Sequence, residues 1–227
     1  MGENRIKLVA ADMDGTLLNR ERKITKYTQN VIKKAMAQGV YFVPATGRAV
    51  NALPPELKEM EGIRYGIFSN GATIYDLKEE KVIYKNHFEM DRVLELMDFL
   101  KQFDLMESIS LNGQSYANKK EMENIDYYEL DSNTKAIVQG SRVLVDDLEI
   151  FVKEQSTTVE KTTLLFKTME ERRRAADALS KIEDIQFSSS LPKNLEISKK
   201  GCNKRRMVLF QFLSKEFSRN ILEPNFI

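Results

Sequence analysis

The amino-acid sequence predicts an α/β protein whose core is a parallel sheet and which carries an inserted α+β segment. Apolar strand-like runs alternate with a helical pattern early in the chain, an order typical of parallel strands joined by crossover helices. After residue 86 this alternation gives way to a helix, a hairpin and further mixed elements. A chain of 227 residues is long enough for one large domain or two modest ones. We therefore expect a core from residues 1–85 and 192–227, with the insert at residues 86–191.

The predicted core begins with a strand–helix–strand unit. Residues 6–11 form an apolar run that predicts a buried strand, and residues 40–45 predict a second one. Between them, Thr25 is a suitable N-cap, apolar residues recur at helical spacing, and Gly39 is a suitable helix stop. This order favours a parallel strand pair with a right-handed crossover. Residues 65–69 predict a third short strand.

One short motif carries most of the chemical information. Asp12, Asp14, Gly15 and Thr16 follow the first strand as Asp-x-Asp-Gly-Thr, a pattern that average residue usage produces about once in 10^5 positions. Because side chains alternate along an extended strand, two carboxylates two residues apart project to the same side. Like charges held that close need a cation or a proton between them. We therefore expect a metal-assisted site in which one acid is ionised and the other is protonated.

The ends of the three predicted strands define the rest of the predicted site. The apolar runs end in turn at Asp12, Thr46 and Asn70. In an open parallel sheet the carboxyl ends of the strands form the ligand crevice, so we expect these residues to converge there. Thr46-Gly47 or Asn70-Gly71 alone would be ordinary turn sequences. Their joint placement after the Asp-x-Asp strand favours a functional site.

The insert is predicted from helical and hairpin signals. Asn112-Gly113, between two strand-like runs, is a strong hairpin signal. Helices are predicted at residues 90–100, 146–155 and 169–182, and a strand at residues 159–166. Residues 195–198 predict the return of the chain to the core. The Arg172-Arg173-Arg174 run falls in the third of these helices, where its simplest interpretation is a solvated face.

Composition disfavours several classes of function. A formal net charge of +1 gives no field that would attract nucleic acid or an acidic membrane surface, and no apolar run approaches membrane-span length. His87 is the single histidine, which disfavours a Ser-His-Asp triad and a multi-histidine zinc site. The single Cys202 excludes an internal disulfide, and the N-terminus shows no secretory leader. We expect a cytoplasmic protein that binds neither nucleic acid nor membrane and acts through carboxylates.

Four segments carry a resemblance to a known family. Residues 12–18 resemble motif I of the haloacid dehalogenase-like (HAD) superfamily of phosphohydrolases, and residues 45–48 resemble its motif II. Residues 69–72 are similar to the Asn-Gly-Ala element of the Cof-type sugar-phosphate phosphatases, and Asn203-Lys204 resembles the motif III lysine. The resemblance implies a Rossmann-like parallel-sheet core with an inserted C2-type cap domain.

The resemblance also implies Mg²⁺-dependent hydrolysis of small, sugar-phosphate-like monoesters through an aspartyl-phosphate. Asp12 would be the nucleophile and Asp14 the general acid and base, and both would hold the metal. Thr46 would bind phosphoryl oxygens and Lys204 would offset their negative charge. The implied substrate-binding residues are Gly47, Arg48, Asn70 and Gly71. The implied partner is a small phosphorylated metabolite.

The resemblance breaks after Lys204. Arg205-Arg206 stand where family members normally have Gly, and no Gly-Asp-x-x-Asn-Asp, whose aspartates complete the family's metal site, follows before Ile227. Three interpretations stay open: an active phosphatase, a phosphomutase on the same scaffold, and a catalytically weak or inactive relative that binds phospho-ligands. The break predicts weak binding of phosphate or Mg²⁺ and hydrolysis of phosphate esters far slower than in a complete relative. It also predicts an exposed core-sheet edge through which a homodimer could form. Residues 207–217 predict an apolar helix, whereas residues 223–227 match nothing in the family.

Overall fold

The computed structural model describes residues 6–19 and 21–213. The chain divides into two compact units. The first unit comprises residues up to Arg48, residues Leu53–Tyr84 and residues from Cys202 onward; the second comprises Ala49–Ala52 and Lys85–Gly201. No helix in the described ranges combines the length and the apolar character that crossing a bilayer requires.

The two units are built from eleven strands and eight helices within the described residues. The strands are β1 (Leu8–Ala11), β2 (Tyr41–Pro44), β3 (Tyr65–Phe68), β4 (Thr73–Asp76), β5 (Lys81–Lys85), β6 (Leu105–Leu111), β7 (Gln114–Asn118), β8 (Arg142–Val145), β9 (Val159–Phe166), β10 (Ile185–Ser188) and β11 (Asn194–Lys199). The helices are α1 (Lys26–Ala37), α2 (Pro55–Lys58), α3 (Met90–Leu100), α4 (Lys119–Glu123), α5 (Ser132–Gly140), α6 (Leu148–Lys153), α7 (Met169–Leu179) and α8 (Lys204–Leu213).

The first unit is an α/β core with parallel strands, as the sequence predicts. β1 and β2 pair in parallel, and the backbone of Ala45, just beyond β2, bridges Ile67 of β3 in the same sense. β3 then pairs antiparallel with β4, which continues to β5. Met207 of α8 packs in a buried cluster with residues from β2, β3 and β4. The carboxyl ends of β1, β2 and β3 therefore lie at one edge of this unit.

The helix between the first two strands has the predicted ends. The Thr25 hydroxyl oxygen accepts a hydrogen bond from the Thr28 amide at 3.1 Å, which satisfies a free N–H of the first turn. At the other end, Gly39 has φ +80° and donates its amide to the Met36 carbonyl at 2.9 Å. Both end signals of α1 are confirmed.

The prediction that the first strand is buried is wrong for its middle residues. Val9 is 37% exposed, and Ala10 is also exposed. Within the described residues β1 has only β2 as a neighbouring strand, so one of its edges is left uncovered there. An apolar run predicts a strand without showing how many neighbours that strand has.

The second unit is a six-stranded sheet in the order β10-β11-β9-β6-β7-β8. Helices α3, α6 and α7 bury their apolar sides in one cluster on the sheet, and a smaller cluster forms under α4 and α5. The predicted hairpin is confirmed: Asn112 and Gly113 both have positive φ, +49° and +74°, as the tight turn joining β6 and β7 requires. The predicted helices over α3, α6 and α7 and the predicted strand β9 are also confirmed.

The predicted return to the core at residues 195–198 is wrong. These residues lie in β11, which pairs antiparallel with β9 and β10 inside the six-stranded sheet. Leu195 and Ile197 are buried in the second unit's main cluster. The second unit extends to Gly201, which is later than the predicted boundary at residue 192. Alternating apolar residues indicate a strand but do not indicate which sheet it joins.

Two further predictions in this half of the chain are only partly met. In the arginine run, Arg173 is exposed, but Arg172 donates from Nε to the Asn194 carbonyl at 3.0 Å and Arg174 lies over the Phe103 ring. The predicted helix at residues 207–217 is present as α8 up to Leu213. Its remainder, and residues 223–227, lie outside the described residues.

Candidate active site

The carboxyl end of β1 brings Asp12 next to Lys204. The Ala45 amide donates to the Ala11 carbonyl at 2.9 Å. The segments that follow β1 and β2 are therefore hydrogen-bonded to each other directly before Asp12 and Thr46. Lys204, the first residue of α8, donates from Nζ to Asp12 Oδ1 at 2.9 Å. The Asp12 side chain is 43% exposed and the Lys204 side chain 36% exposed. A charged pair that is this open to solvent contributes little to stability but remains accessible to a ligand.

Asp14 has a different cationic partner. After β1 the chain turns, and the Leu18 amide closes this turn on the Met13 carbonyl at 3.0 Å. Arg48 holds Asp14 with two parallel hydrogen bonds, from Nε to Oδ2 at 2.9 Å and from Nη2 to Oδ1 at 2.6 Å. A two-point bond of this kind fixes the orientation of the carboxylate as well as its position.

The separate partners change one expectation from the sequence. The Asp-x-Asp spacing predicted that one acid would be protonated to relieve repulsion. In the structure each carboxylate is next to its own cation, Lys204 for Asp12 and Arg48 for Asp14. Each cation therefore offsets part of the repulsion between the two carboxylates.

Thr46 and Asn70 are joined through their backbones. The Thr46 amide donates to the Ile67 carbonyl at 2.8 Å, and the Asn70 amide donates to the Thr46 carbonyl at 3.2 Å. The buried Thr46 hydroxyl oxygen accepts from the Arg48 amide at 3.1 Å. A hydroxyl that accepts through a lone pair keeps its own O–H as a donor. Thr46 is therefore able to donate a hydrogen bond to a ligand oxygen.

The turn after β3 is strained and very close to the start of α8. Ser69, Asn70 and Gly71 have φ of +50°, +60° and +97°, three successive residues in the left-handed region. A Cβ on Gly71 would lie 2.7 Å from the carbonyl carbon and 2.8 Å from the amide nitrogen of Asn203. Only glycine fits such an approach. Gly71 thereby allows the Asn203 backbone, and Lys204 after it, to lie against this turn.

All eight residues predicted for the site lie in the first unit, at the ends of its strands or at the start of α8. Hydrogen bonds join Asp12 to Lys204, Asp14 to Arg48 and Thr46 to Asn70. Gly47 lies in the turn that follows β2, and Gly71 lies against the backbone of Asn203. Sequence reasoning did not find the Arg48–Asp14 pair or the role of the Asn203 backbone. Neither has a local signal, because each contact joins distant parts of the chain.

One cavity in this unit lies away from the predicted residues. A cavity of about 560 Å³ is lined by residues that precede β2 and β3, including Val40 and Ile63. None of the eight predicted residues lines it. It lies at the amino ends of these strands, whereas the predicted residues follow their carboxyl ends.

The donor chemistry at Asp12 and Asp14 fits Mg²⁺. Mg²⁺ prefers oxygen ligands and is usually held by one or two carboxylates together with waters and substrate phosphate oxygens. Asp12 supplies one half-exposed carboxylate, and Asp14, whose carboxylate is held by Arg48, offers its main-chain carbonyl. The described residues contain no cluster of three or more His, Cys, Asp or Glu side chains arranged for a metal.

Comparison with known protein families identifies the family of this chain. The family model for haloacid dehalogenase-like hydrolases matches residues 9–220, nearly the full length. The chain belongs to the haloacid dehalogenase-like hydrolases. The resemblance drawn from residues 12–18, 45–48 and 203–204 is thus confirmed.

Two similar curated proteins each match this chain over only part of their length. A protein of Buchnera aphidicola (subsp. Schizaphis graminum), which carries a provisional phosphatase name, is 38% identical over 121 residues, covering 52% of this chain and 43% of that protein. The 5-amino-6-(5-phospho-D-ribitylamino)uracil phosphatase YcsE of Bacillus subtilis is 37% identical over 89 residues, covering 37% of this chain and 36% of that protein. The chain thus spans less than half the length of these relatives.

Solved HAD-like structures share the fold. A haloacid dehalogenase-like hydrolase from B. subtilis superposes with a TM-score of 0.76 at 21% identity, covering 91% of this chain and 78% of that one. A HAD subclass IIB sugar phosphatase superposes with a TM-score of 0.69 at 21% identity, covering 91% and 75%. These likenesses support the predicted fold class, a parallel-strand core with an inserted domain.

Proposed function

We propose that the protein is a Mg²⁺-dependent phosphatase that hydrolyses small phosphate monoesters through an aspartyl-phosphate on Asp12. The observation that carries this proposal is the pairing of Asp12, at the end of the first core strand, with Lys204 at 2.9 Å. The pair combines a nucleophilic carboxylate with a cation at the place where a phosphate dianion would bind. Family membership supplies the hydrolytic class.

In the first step Asp12 attacks phosphorus and the ester oxygen leaves. A carboxylate 4 Å from one unit of negative charge is repelled by about 4 kcal/mol at an effective dielectric of 20, and a phosphate dianion roughly doubles this. Lys204 offsets part of that repulsion from its contact with Asp12. A Mg²⁺ ion held by the Asp12 carboxylate and the Asp14 main-chain carbonyl would supply the remaining positive charge.

Asp14 performs the proton transfers. Asp14 must carry a proton when the ester binds; it donates this proton to the leaving alkoxide, and the resulting carboxylate then removes a proton from the water that hydrolyses the aspartyl-phosphate. The two hydrogen bonds from Arg48 to Asp14 orient the carboxylate before substrate binds. Arg48 was expected from the sequence to bind substrate, and we propose that it serves first to orient Asp14.

The turns after β2 and β3 hold the phosphoryl group. The Thr46 hydroxyl has its O–H free to donate to a phosphoryl oxygen. The other proposed donors to the phosphoryl oxygens are the backbone amides near Gly47 and Gly71 and the side chain of Asn70. These residues lie in the segments that resemble the family motifs. Donors fixed before the reaction stabilise developing charge without reorganisation.

The substrate class is a small phosphorylated metabolite, sugar-phosphate-like in size. The names of a Bacillus subtilis relative, a phosphatase of a phosphorylated ribityl compound, and of a fold neighbour, a sugar phosphatase, support this class. We assign the first unit to the catalytic core and the second to a C2-type cap. A cytoplasmic location fits small-metabolite substrates. The comparisons do not favour the binding-only relative or the phosphomutase.

Phosphate release from p-nitrophenyl phosphate tests this proposal. Wild-type protein should release phosphate with Mg²⁺, and EDTA or Asp12→Asn should abolish release. Asp98→Asn, at an exposed aspartate on α3, is the matched control and should turn over normally. Turnover that survives both EDTA and Asp12→Asn would overturn the proposal. No turnover in any sample, together with retained binding of inorganic phosphate, would favour the binding-only relative instead.

A further inference from the structure

The outer edge of the six-stranded sheet ends in an unprotected strand. β8 is the last strand in the sheet order and pairs on one side, in parallel with β7. Among the described residues no strand or loop forms backbone hydrogen bonds with its other side. Such an edge presents a row of N–H and C=O groups that can pair with another strand.

This edge is apolar and solvent-exposed. Val143 is 46% exposed and Leu144 is 44% exposed, and they lie on opposite faces of the sheet. Ile150, on α6 shortly after the strand, is 56% exposed. Val145 packs against the main cluster under α6, and Val143 lies on the same face as Val145. Exposed apolar side chains therefore accompany the unpaired backbone.

A second edge strand in the same chain shows the usual protection. β5 is the edge of the three-stranded sheet, and its Val82 and Ile83 are 48% and 44% exposed, close to the values on β8. However, Lys81 and Lys85 flank them, and both lysines are exposed. Edge lysines discourage pairing with another strand. β8 contains no Lys or Pro, and its register with β7 shows no bulge.

The sequence at β8 is complementary to itself. If two copies of residues 142–146 pair antiparallel about Leu144, Val143 lies opposite Val145 and Arg142 lies opposite Asp146. Residues directly opposite each other in an antiparallel pair have Cβ atoms about 4.5–5.5 Å apart, and opposite charges there are stabilising. A two-fold axis at Leu144 repeats each pair twice.

The two charged ends of the segment differ in exposure. Arg142 is partly buried: its Nε has no hydrogen-bond partner among the described residues, and its Nη1 donates to the Val138 carbonyl at 2.9 Å and to the Ser141 hydroxyl oxygen at 3.3 Å. Burial lowers the pKa of Arg142 to about 10, and the nearby charge of Glu196 acts in the opposite direction. Asp146 is exposed, immediately after the strand. A carboxylate from a second copy would add to the negative charge that Glu196 already provides near Arg142.

We propose that the outer edge of β8 is a self-association surface, at which two copies pair antiparallel through residues 142–146 about Leu144. The occupant is a second copy because the segment complements itself in both apolar residues and charge. The sequence predicted dimerisation through an exposed edge of the core sheet. The edge proposed here, β8, belongs instead to the sheet of the second unit. A short strand edge gives a weak dimer, in the class that buries less than about 1,200 Å².

Sedimentation velocity over a range of protein concentrations tests this proposal. Wild-type protein should move from monomer to dimer as concentration rises. Val143→Lys should weaken the dimer about tenfold, because the altered cross-strand pair occurs twice. Val82→Lys, at the equally exposed valine on β5, is the matched control and should associate like the wild type. Circular dichroism confirms that each variant is folded.

A second variant tests the charge pairing at an exposed position. Asp146→Arg places like charges opposite each other and should also weaken the dimer. Protein that stays monomeric at all concentrations would overturn the proposal. So would a dimer unchanged by both Val143→Lys and Asp146→Arg, because two copies would then associate through a different surface. Loss of the dimer in Val82→Lys alone would assign association to β5.

Discussion

At the scale of single residues, the two site aspartates differ in how they are held. Asp12 receives one hydrogen bond from a flexible lysine, whereas Asp14 receives two from a planar guanidinium. Arginine fixes direction and lysine mainly supplies charge. The nucleophile is therefore left able to adjust to phosphorus, and the acid–base group is held in one orientation.

Substitution of Arg48 tests this division. Arg48→Ala removes both hydrogen bonds to Asp14 and should lower kcat by about 10- to 100-fold, which is less than the roughly 10²- to 10⁴-fold contribution usual for a general acid and base, because Asp14 itself is kept. Arg48→Lys keeps the charge but loses the two-point geometry, so an intermediate kcat is expected. Steady-state kinetics with p-nitrophenyl phosphate and Mg²⁺ measures both.

The matched control for Arg48 is a second arginine with the same geometry. Arg92 donates from Nε and Nη2 to Asp184 at 2.8 Å and 2.7 Å, in the second unit. Arg92→Ala should leave kcat unchanged. If Arg48→Ala and Arg92→Ala lower kcat equally, losing any such arginine–aspartate pair lowers activity. The assignment of Arg48 as the residue that orients Asp14 would then be wrong.

Gly71 gives a second prediction at this scale. Gly71→Ala adds a Cβ within 3.0 Å of the Asn203 backbone in addition to unfavourable φ. Gly39→Ala meets only the unfavourable φ of +80°, because nothing lies within 4 Å of its Cβ, and should cost about 1–2 kcal/mol of stability. Gly71→Ala should cost more and should also lower kcat by displacing Lys204.

Urea unfolding and steady-state kinetics compare these two variants. The expected pattern is loss of stability in both but loss of kcat in Gly71→Ala alone, measured at a temperature where both are folded. Equal stability losses with normal kcat in both would show that the contact with Asn203 does not position Lys204.

At the scale of elements, β6 carries a buried acid without a full set of hydrogen bonds. Glu107 is buried and its Oε1 has no hydrogen-bond partner among the described residues. Burial, followed by the nearby charges of Glu121 and Glu149, raises the pKa of Glu107 from 4.5 to about 8. Burial also raises the pKa of Glu121, which has an unpartnered Oε2.

This burial predicts how stability depends on pH. Between pH 4.5 and about 8 the folded chain keeps a proton on Glu107 that the unfolded chain has lost. The contribution of Glu107 to the free energy of unfolding should therefore be most favourable below pH 4.5 and should fall as pH rises to about 8. Glu107→Gln should reduce this slope, leaving the part that Glu121 contributes, and should be more stable than wild type near pH 8.

Urea unfolding from pH 5 to pH 9 measures the slope. Glu123→Gln, at an exposed glutamate on α4, is the control and should keep the wild-type slope. A Glu107→Gln variant with an unchanged slope would show that Glu107 is already ionised in the folded protein at neutral pH.

Elements with strong local signals were predictable, and sheet membership was not. Thr25 and Gly39 define the ends of α1, and Asn112-Gly113 defines a hairpin, because each acts within a few residues of chain. β8 and β10 were not predicted, since four-residue strands carry too little periodicity. Residues 195–198 in β11 were predicted as the return to the core and so were assigned to the wrong unit, because the partners of a segment are not encoded in its own pattern.

At the scale of the whole molecule, the site is assembled from segments far apart in sequence. Asp12 and Lys204 are 192 residues apart and meet at 2.9 Å. The order of strand ends predicted which residues would gather, because carboxyl ends of parallel strands share an edge. It could not predict which cation would pair with which carboxylate, since this depends on side-chain reach and on the Gly71–Asn203 contact.

Detection of a phosphoryl group on Asp12 tests the central proposal most directly. The protein is mixed with Mg²⁺ and p-nitrophenyl phosphate, quenched in acid and analysed by peptide mass spectrometry. Wild type should carry a phosphoryl group on Asp12, and Asp14→Asn should accumulate more of it because hydrolysis of the acyl-phosphate lacks its base. Asp12→Asn should carry none. Ester turnover without a phosphoryl group on Asp12, or with it on another residue, would contradict the proposed mechanism.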